Sequence, residues 1–160
     1  MAMAHHARRL GAMVAVLTIG ACAQQLTVHP GPETSAALEP AVRSLQAALA
    51  ATDVPLAPLA FADAATDEAL HGIVRRAGHP LLASPAGLTC PWPNAAPAPL
   101  GYAVRLRVDS VYGTRAQVSW ELRCAFPREP GREYRRGAAL EIERTVGGWR
   151  LLREVMSWVS

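Results

Sequence analysis

The sequence predicts a small α+β domain in which one or two N-terminal helices pack on a four-stranded antiparallel meander sheet with one disulfide. Apolar residues recur with helical spacing in the first half of the chain and with a period of two from Tyr102 onward. Two cysteines, Cys90 and Cys124, lie beyond an N-terminal apolar segment. The 160 residues are enough for one such domain behind a short leader.

Residues 1–21 have the order of charge and hydropathy that is typical of a signal peptide. Arg8 and Arg9 make the start positive, and the twelve residues LGAMVAVLTIGA, 10–21, are uncharged and mostly apolar or small. Twelve residues are too few to cross a bilayer as a helix of the mature protein, whereas they match the apolar core of a secretion signal. The sequence therefore predicts an exported protein.

Two cleavage sites compete at the end of this leader. IGAC, Ile19 to Cys22, resembles the lipobox of bacterial lipoproteins, with isoleucine where leucine is commonest. The resemblance implies lipid attachment at Cys22 and, with Ala23 next, a protein held on the outer membrane and facing the periplasm. Its acyl chains would anchor the protein stably, because two chains already suffice. ACA, Ala21 to Ala23, is instead a site for ordinary signal peptidase, and its soluble product would begin at Gln24.

Charge argues against nucleic acid as a partner. All sixteen basic residues are arginine, against thirteen acids. Cleavage removes Arg8 and Arg9, so the mature chain carries a net charge of only +1. A nucleic-acid-binding domain is expected to be strongly basic. G-x-S-x-G, H-E-x-x-H and Gly-rich phosphate loops are absent, so the sequence predicts no catalytic residue, metal site or cofactor.

Cys90 and Cys124 remain after either cut. An even pair in an exported chain predicts one structural disulfide, with 33 residues between its ends. A redox pair usually has C-x-x-C spacing, and a zinc site would need two more ligands. The disulfide is therefore the preferred interpretation of the pair.

The first helix is predicted over 36–51, after a polar, flexible tether over 22–35, so that the domain spans 36–160. Four apolar residues recur there at helical spacing: Leu38, Val42, Leu45 and Leu49. Proline is tolerated only in the first turn of a helix, which is where this prediction places Pro40. Residues 53–61 are interrupted by prolines and are expected to be extended.

A second helix is indicated between residues 63 and 78. Asp63 or Thr66 can cap its start, basic residues occupy its last turn, and Gly78 follows. The next 23 residues, 79–101, hold six prolines and predict no regular element. The disulfide at Cys90 is a reason for this long segment to be ordered.

From Tyr102, alternation of apolar and polar residues predicts four strands. The first three strands put these side chains on the buried face: Tyr102, Val104, Leu106, Val108; Ala116, Val118, Trp120, Leu122, Cys124, Phe126; Ala138, Leu140, Ile142. Turns are expected at 112–115, at 127–133 and at the glycine pair 147–148. The fourth strand, from Trp149 to about Val159, is apolar on both faces, so the pattern leaves its register open.

The segments AQVSWELRC, 116–124, and LEIERTVGGWRL, 140–151, resemble the second half of nuclear transport factor 2-like or ketosteroid-isomerase-like domains. In those families a glycine-rich turn followed by tryptophan commonly opens the last strand. The resemblance implies a curved sheet with a concave face. A cystatin-like arrangement, in which a helix lies across a four-stranded sheet, is equally compatible. No position matches a catalytic residue of these families individually.

Two classes of function follow as hypotheses. The first is a non-catalytic binding or interaction domain at the cell envelope, with a protein or a small molecule as its partner. The alternative is a small isomerase- or dehydratase-like enzyme whose pocket is the concave sheet face. The lipobox-like motif and the lack of a catalytic motif favour the first hypothesis.

Candidate ligand contacts are few, and each has a structural alternative. Trp92, between two prolines and next to Cys90, can line a pocket or fill the edge of the core. Arg105, Arg107 and Arg123 can bind an anionic ligand, or they can form cross-strand charge pairs with glutamates.

Two histidines next to the second helix have structural explanations of their own. Asp67 and His71 are one turn apart and predict a surface pair. His79 follows the end of the helix, where a contact with the helix dipole is expected.

Overall fold

The computed structural model describes residues 32–62, 68–92, 99–129 and 131–160. Its helices and strands follow in the order α1 (Pro32–Ala50), β1 (Leu59–Phe61), α2 (Glu68–Arg76), β2 (Tyr102–Tyr112), β3 (Arg115–Ala125), β4 (Glu133–Thr145) and β5 (Gly148–Val159). The strands form one mixed sheet in the spatial order β1-β2-β3-β4-β5. The α+β class is therefore confirmed. The described helices include none that is both long and apolar enough to span a membrane.

The sheet has one strand more than predicted. β2 to β5 form the expected antiparallel meander, but β1 pairs with β2 in parallel, with Leu59 opposite Tyr102. The prediction of four antiparallel strands missed β1 because it is three residues long and lies in a proline-interrupted segment. On its other side Leu59 exchanges backbone hydrogen bonds with the segment 80–82, which covers that edge of the sheet.

Helix α1 begins at Pro32, four residues before the expected start, so residues 32–35 of the predicted tether are helical. Pro40 consequently lies in the helix interior rather than in its first turn. An interior proline costs a backbone hydrogen bond. The ring of Pro40 is fully buried in this protein, and this burial offsets the loss.

Both ends of α1 are fixed to β4. Arg144 Nη2 donates to Glu33 Oε1 at 3.0 Å in the first turn of the helix. Arg136 Nη1 donates to the carbonyl oxygen of Ala48 at 3.2 Å in the last turn, which has no basic residue of its own. A positive charge at this end is favourable because the helix dipole is negative there. The helix therefore runs antiparallel to β4 across the sheet.

The core lies between α1 and the inner face of the sheet. It is formed by one stripe of α1, by Leu70 and Val74 of α2, and by the alternating residues of the central strands. The predicted inward residues of β3 and β4 are buried: Ala116, Val118, Trp120, Leu122, Cys124, Ala138, Leu140 and Ile142. Gly78 follows α2 with φ +88°, the left-handed conformation that glycine adopts readily after a helix.

Cys90 and Cys124 form the predicted disulfide. The chain around Cys90 pairs with the end of β3, where the amide of Ala125 donates to the carbonyl of Leu88 at 2.9 Å. The amide of Cys90 donates in turn to the carbonyl of Ala125 at 3.0 Å. The disulfide therefore holds a short parallel bridge against the sheet.

Candidate functional site

A cleft of about 400 Å³ opens between the C-terminal half of α1 and the paired ends of β4 and β5. Its walls combine small residues of the helix with aromatic and charged residues of the strands. They include Ser44, Ala48, Trp120, Arg136, Glu154 and Trp158. The cleft lies beside the core rather than within it, on the same side of the sheet as α1.

The cleft exists because the side chains facing it from two elements are small. Ser44, Ala47 and Ala48 line it from the helix. On the strands, the small Ala138 and Ser157 face it, whereas Gly137 and Trp158 face the other side of the sheet, where the indole of Trp158 lies directly against Gly137. A Cβ at Gly137 would also lie 2.6 Å from the carbonyl oxygen of Trp120, so any larger residue requires the strands to shift.

Polar groups in the cleft differ in how far they are already engaged. The indole Nε1 of Trp120 donates to Ser44 Oγ at 3.0 Å. Arg136 uses one guanidinium nitrogen on the end of α1, as described above. Within the described part of the chain, the exposed carboxylate of Glu154 takes part in no ion pair. Glu154 is therefore the charge in this cleft that a ligand can meet without breaking an existing contact.

The opposite face of the sheet is organised around Glu141. Glu141 lies on this outer face of β4, yet only 8% of it is exposed. Arg153 Nε donates to its carboxylate at 2.7 Å and the hydroxyl of Tyr112 donates at 3.1 Å. Arg115 approaches to 3.5 Å.

The titration of the Glu141 cluster follows from these contacts. The hydrogen bonds from Arg153 and Tyr112 hold the pKa of Glu141 below its ordinary value. Burial and the hydrogen bond to Glu141 raise the pKa of Tyr112. Since each partner is satisfied within the cluster, its arrangement is that of a cross-strand structural network.

The three predicted arginines lie on this outer face, away from the cleft. Arg105 of β2 is opposite Glu121 of β3, and Arg107 is opposite Ser119. Arg123 forms an ion pair with Glu121 on its own strand. The structure thus brings these arginines together on neighbouring strands, where Glu121 rather than an anionic ligand lies among them.

Trp92 lies near the disulfide and also does not line the cleft. Its ring makes edge contacts with Phe126 at 5.0 Å and with Tyr134 at 6.1 Å between centroids. The guanidinium of Arg132 lies over Phe126. Trp92 is 40% exposed, so it both packs at the edge of the core and presents aromatic surface to solvent.

The two histidines are held by local contacts. His71 stacks on Phe61 with centroids 4.9 Å apart and lies 3.6 Å from the carboxylate of Glu68. Asp67, its predicted partner, is outside the described residues. His79 is buried, with Nδ1 3.1 Å from the carbonyl oxygen of Ala57, so it bridges two segments besides following α2.

Sequence reasoning missed the residues of the cleft. Arg136 was not among the candidate ligand contacts, and Glu154 and Trp158 lay in a strand whose register was open. One signal pointed to them: Glu154 is the single carboxylate of a strand that is mostly apolar. Cys22 and the rest of the lipobox-like motif lie outside the described residues.

Comparisons with known proteins give no relative from which a function can be transferred. The chain matches no family model, no curated protein and no solved structure. The interpretation of the cleft therefore rests on its own geometry.

Proposed function

We propose that this chain is an exported lipoprotein of the cell envelope whose α+β domain binds a partner without catalysing a reaction. The observation that carries the binding function is the cleft beside α1, with the indole of Trp120 and the unpaired carboxylate of Glu154. A concave site with a few convergent polar groups is typical of binding sites. The lipid anchor rests on the sequence IGAC, ending at Cys22.

Packing of the sheet favours binding over the enzymatic alternative. That alternative places a pocket on the concave face of the sheet, but Val118, Leu140 and Ile142 on this face are fully buried in the core. The cleft itself offers Glu154 as its carboxylate, while the guanidinium of Arg136 is engaged with the helix. A carboxylate without a second titratable group nearby suits recognition of a cation better than general acid–base chemistry.

The length of the predicted attachment limits where the domain can work. Residues 22–31 separate the lipid-bearing Cys22 from the start of α1 at Pro32. Ten fully extended residues reach no further than about 35 Å. An anchored domain would therefore search for partners within a thin layer at the membrane surface.

Lipidation is tested by feeding cells a clickable fatty-acid analogue and comparing the wild-type protein with Cys22→Ala. We expect label and membrane association in the wild type and neither in the variant. Mass spectrometry of the mature N-terminus is the second readout. An unlabelled, soluble wild-type protein that begins at Gln24 would refute the anchor and support the A-x-A cut.

Binding at the cleft is tested independently of lipidation. A photo-crosslinking amino acid replaces Ser157 in the cleft, and in a matched control it replaces Gln117 on the outer face of β3. We expect light-dependent adducts in intact cells from position 157 and few from position 117. Equal yields at both positions, or none at 157, would contradict a binding cleft.

A further inference from the structure

β5 is an edge strand whose outer side is unpaired in the described structure. Its backbone pairs with β4, and no described segment bonds to its other side. The opposite edge of the sheet differs, because the segment 80–82 covers β1. An unpaired edge presents a row of amide and carbonyl groups that can accept another strand.

Apolar side chains are exposed along the same strand. Five of them are between 36% and 66% exposed: Leu151, Leu152, Val155, Met156 and Val159. Natural edge strands usually carry charged residues or proline that discourage pairing. In β5 the register shifts at two bulges, which leaves a regular stretch from Met156 to Val159 beside the cleft.

The charged side chains of β5 favour some incoming strands over others. On the outer face, Arg150 and Arg153 are neutralised by Glu143 and Glu141. On the cleft side, Glu154 has no ion-pair partner among the described residues. An incoming strand therefore meets one uncompensated negative charge, on the side that opens into the cleft.

A second copy of this chain fits the charge pattern poorly. Two-fold pairing of β5 with itself about Arg153 or Glu154 would set like charges against each other, and pairing about Ser157 would set Glu154 against Ser160. None of these registers gives Glu154 a cation. Like charges directly opposite each other destabilise a strand pair. A different polypeptide with a basic residue at the matching position turns this repulsion into attraction.

We propose that the ligand of the cleft is an extended segment of a partner protein, which adds to β5 as a sixth strand. Its backbone pairs with the regular stretch from Met156 to Val159. A lysine or arginine on its cleft side faces Glu154, and apolar side chains two residues away contact the exposed apolar residues of β5. This mode combines main-chain affinity with side-chain pockets for specificity, and it rests on the binding function proposed above.

The test uses a synthetic peptide, acetyl-VSLSRSLSV-amide, and the soluble Cys22→Ala form of the protein. Matched peptides replace its arginine with glutamate, or N-methylate alternate amides on the pairing side. We expect the arginine peptide to bind about tenfold more tightly than the glutamate peptide, because attraction replaces repulsion. N-methylation should abolish binding, and backbone amides of 156–159 should gain protection from hydrogen exchange.

Variants of the protein make the charge requirement explicit. Glu154→Gln should weaken binding of the arginine peptide about threefold to fivefold, and Glu154→Arg should reverse the preference between the two peptides. Glu39→Gln removes an exposed glutamate of α1 and serves as the matched control, with no expected change.

Several results would overturn strand addition: no binding at millimolar peptide, equal binding of the arginine and glutamate peptides, or unaltered binding after N-methylation. A dimer in sedimentation experiments with amides of β5 already protected would assign the edge to a second copy. If the peptides fail while position 157 still crosslinks in cells, the binding domain stands and the ligand is of another class.

Discussion

Reduction of the disulfide gives the sharpest test of how the proline-rich segment is held. Cys90 and Cys124 are 34 positions apart in sequence, and both are buried. Opening a loop of this length restores chain entropy to the unfolded state worth about 4 kcal/mol at 25 °C. Reduction leaves both sulfur atoms in place, so it creates no cavity and the expected loss is close to this entropic value.

Urea unfolding with and without a reductant measures the effect. With a slope of about 2 kcal/mol per molar urea, the loss corresponds to a midpoint lower by roughly 2 M. The Cys90→Ala, Cys124→Ala protein is the control: its midpoint should lie at or below that of the reduced wild type, because two buried sulfur atoms are lost as well, and it should not respond to reductant. Hydrogen exchange at the amides of Cys90 and Ala125 should accelerate, because their bonds close the bridge that the disulfide holds.

Two outcomes would refute this reasoning. A midpoint that moves by less than about 0.5 M on reduction would mean that the segment is ordered without the cross-link, or that the unfolded chain is already compact. A lowered midpoint with unchanged exchange at Cys90 would mean that the disulfide acts on the unfolded state alone and does not hold the bridge.

Three further predictions concern β4 and its neighbours. Glu141→Gln should make the loss of stability in acid less steep than in the wild type. The lowered folded-state pKa of Glu141 stabilises the protein above the ordinary value of 4.5, and this contribution disappears as pH falls through the folded-state pKa. Urea midpoints of variant and wild type that fall in parallel from pH 7 to 3 would contradict this prediction. Gly137→Ala should lower the free energy of unfolding by about 1–3 kcal/mol, because the added Cβ meets Trp158 and the neighbouring strand. Gly147→Ala, in an open turn, is the control and should leave thermal unfolding nearly unchanged. Arg136→Gln should lower stability by about 1 kcal/mol, because the charge at the end of α1 is lost; an unchanged melting temperature would show that its contact with the helix contributes nothing.

The antiparallel meander was predictable because its strands are long and alternate strictly. In β3, every second side chain from Ala116 to Cys124 is buried, as the period of two requires. β1 was not predictable in the same way: three residues carry no detectable period, and its partner, β2, starts more than forty positions after Leu59. The start of α1 was misplaced because local propensity put Pro40 in the first turn, whereas tertiary burial of its ring permits an interior position.

The cleft was beyond sequence reasoning for a different reason. Its residues come from α1, β3, β4 and β5, and they meet only because α1 lies across the sheet in one register. Neither the pairing of Arg136 with the end of α1 nor the isolation of Glu154 follows from spacing along the chain. The disulfide needed no such information, because it followed from the even number of cysteines expected in an exported domain.

Helix α1 also sets a distance and an orientation. A tether to the membrane would enter the domain at Pro32, whereas the cleft is lined by Ser44 and Ala48 near the other end of the same helix. Twelve to sixteen residues of α-helix span about 18–24 Å. In the anchored protein, α1 would thus separate the cleft from the attachment point by most of its own length. The attachment point and the cleft would then lie at opposite ends of the domain, which suits contact with a partner approaching from the periplasmic side.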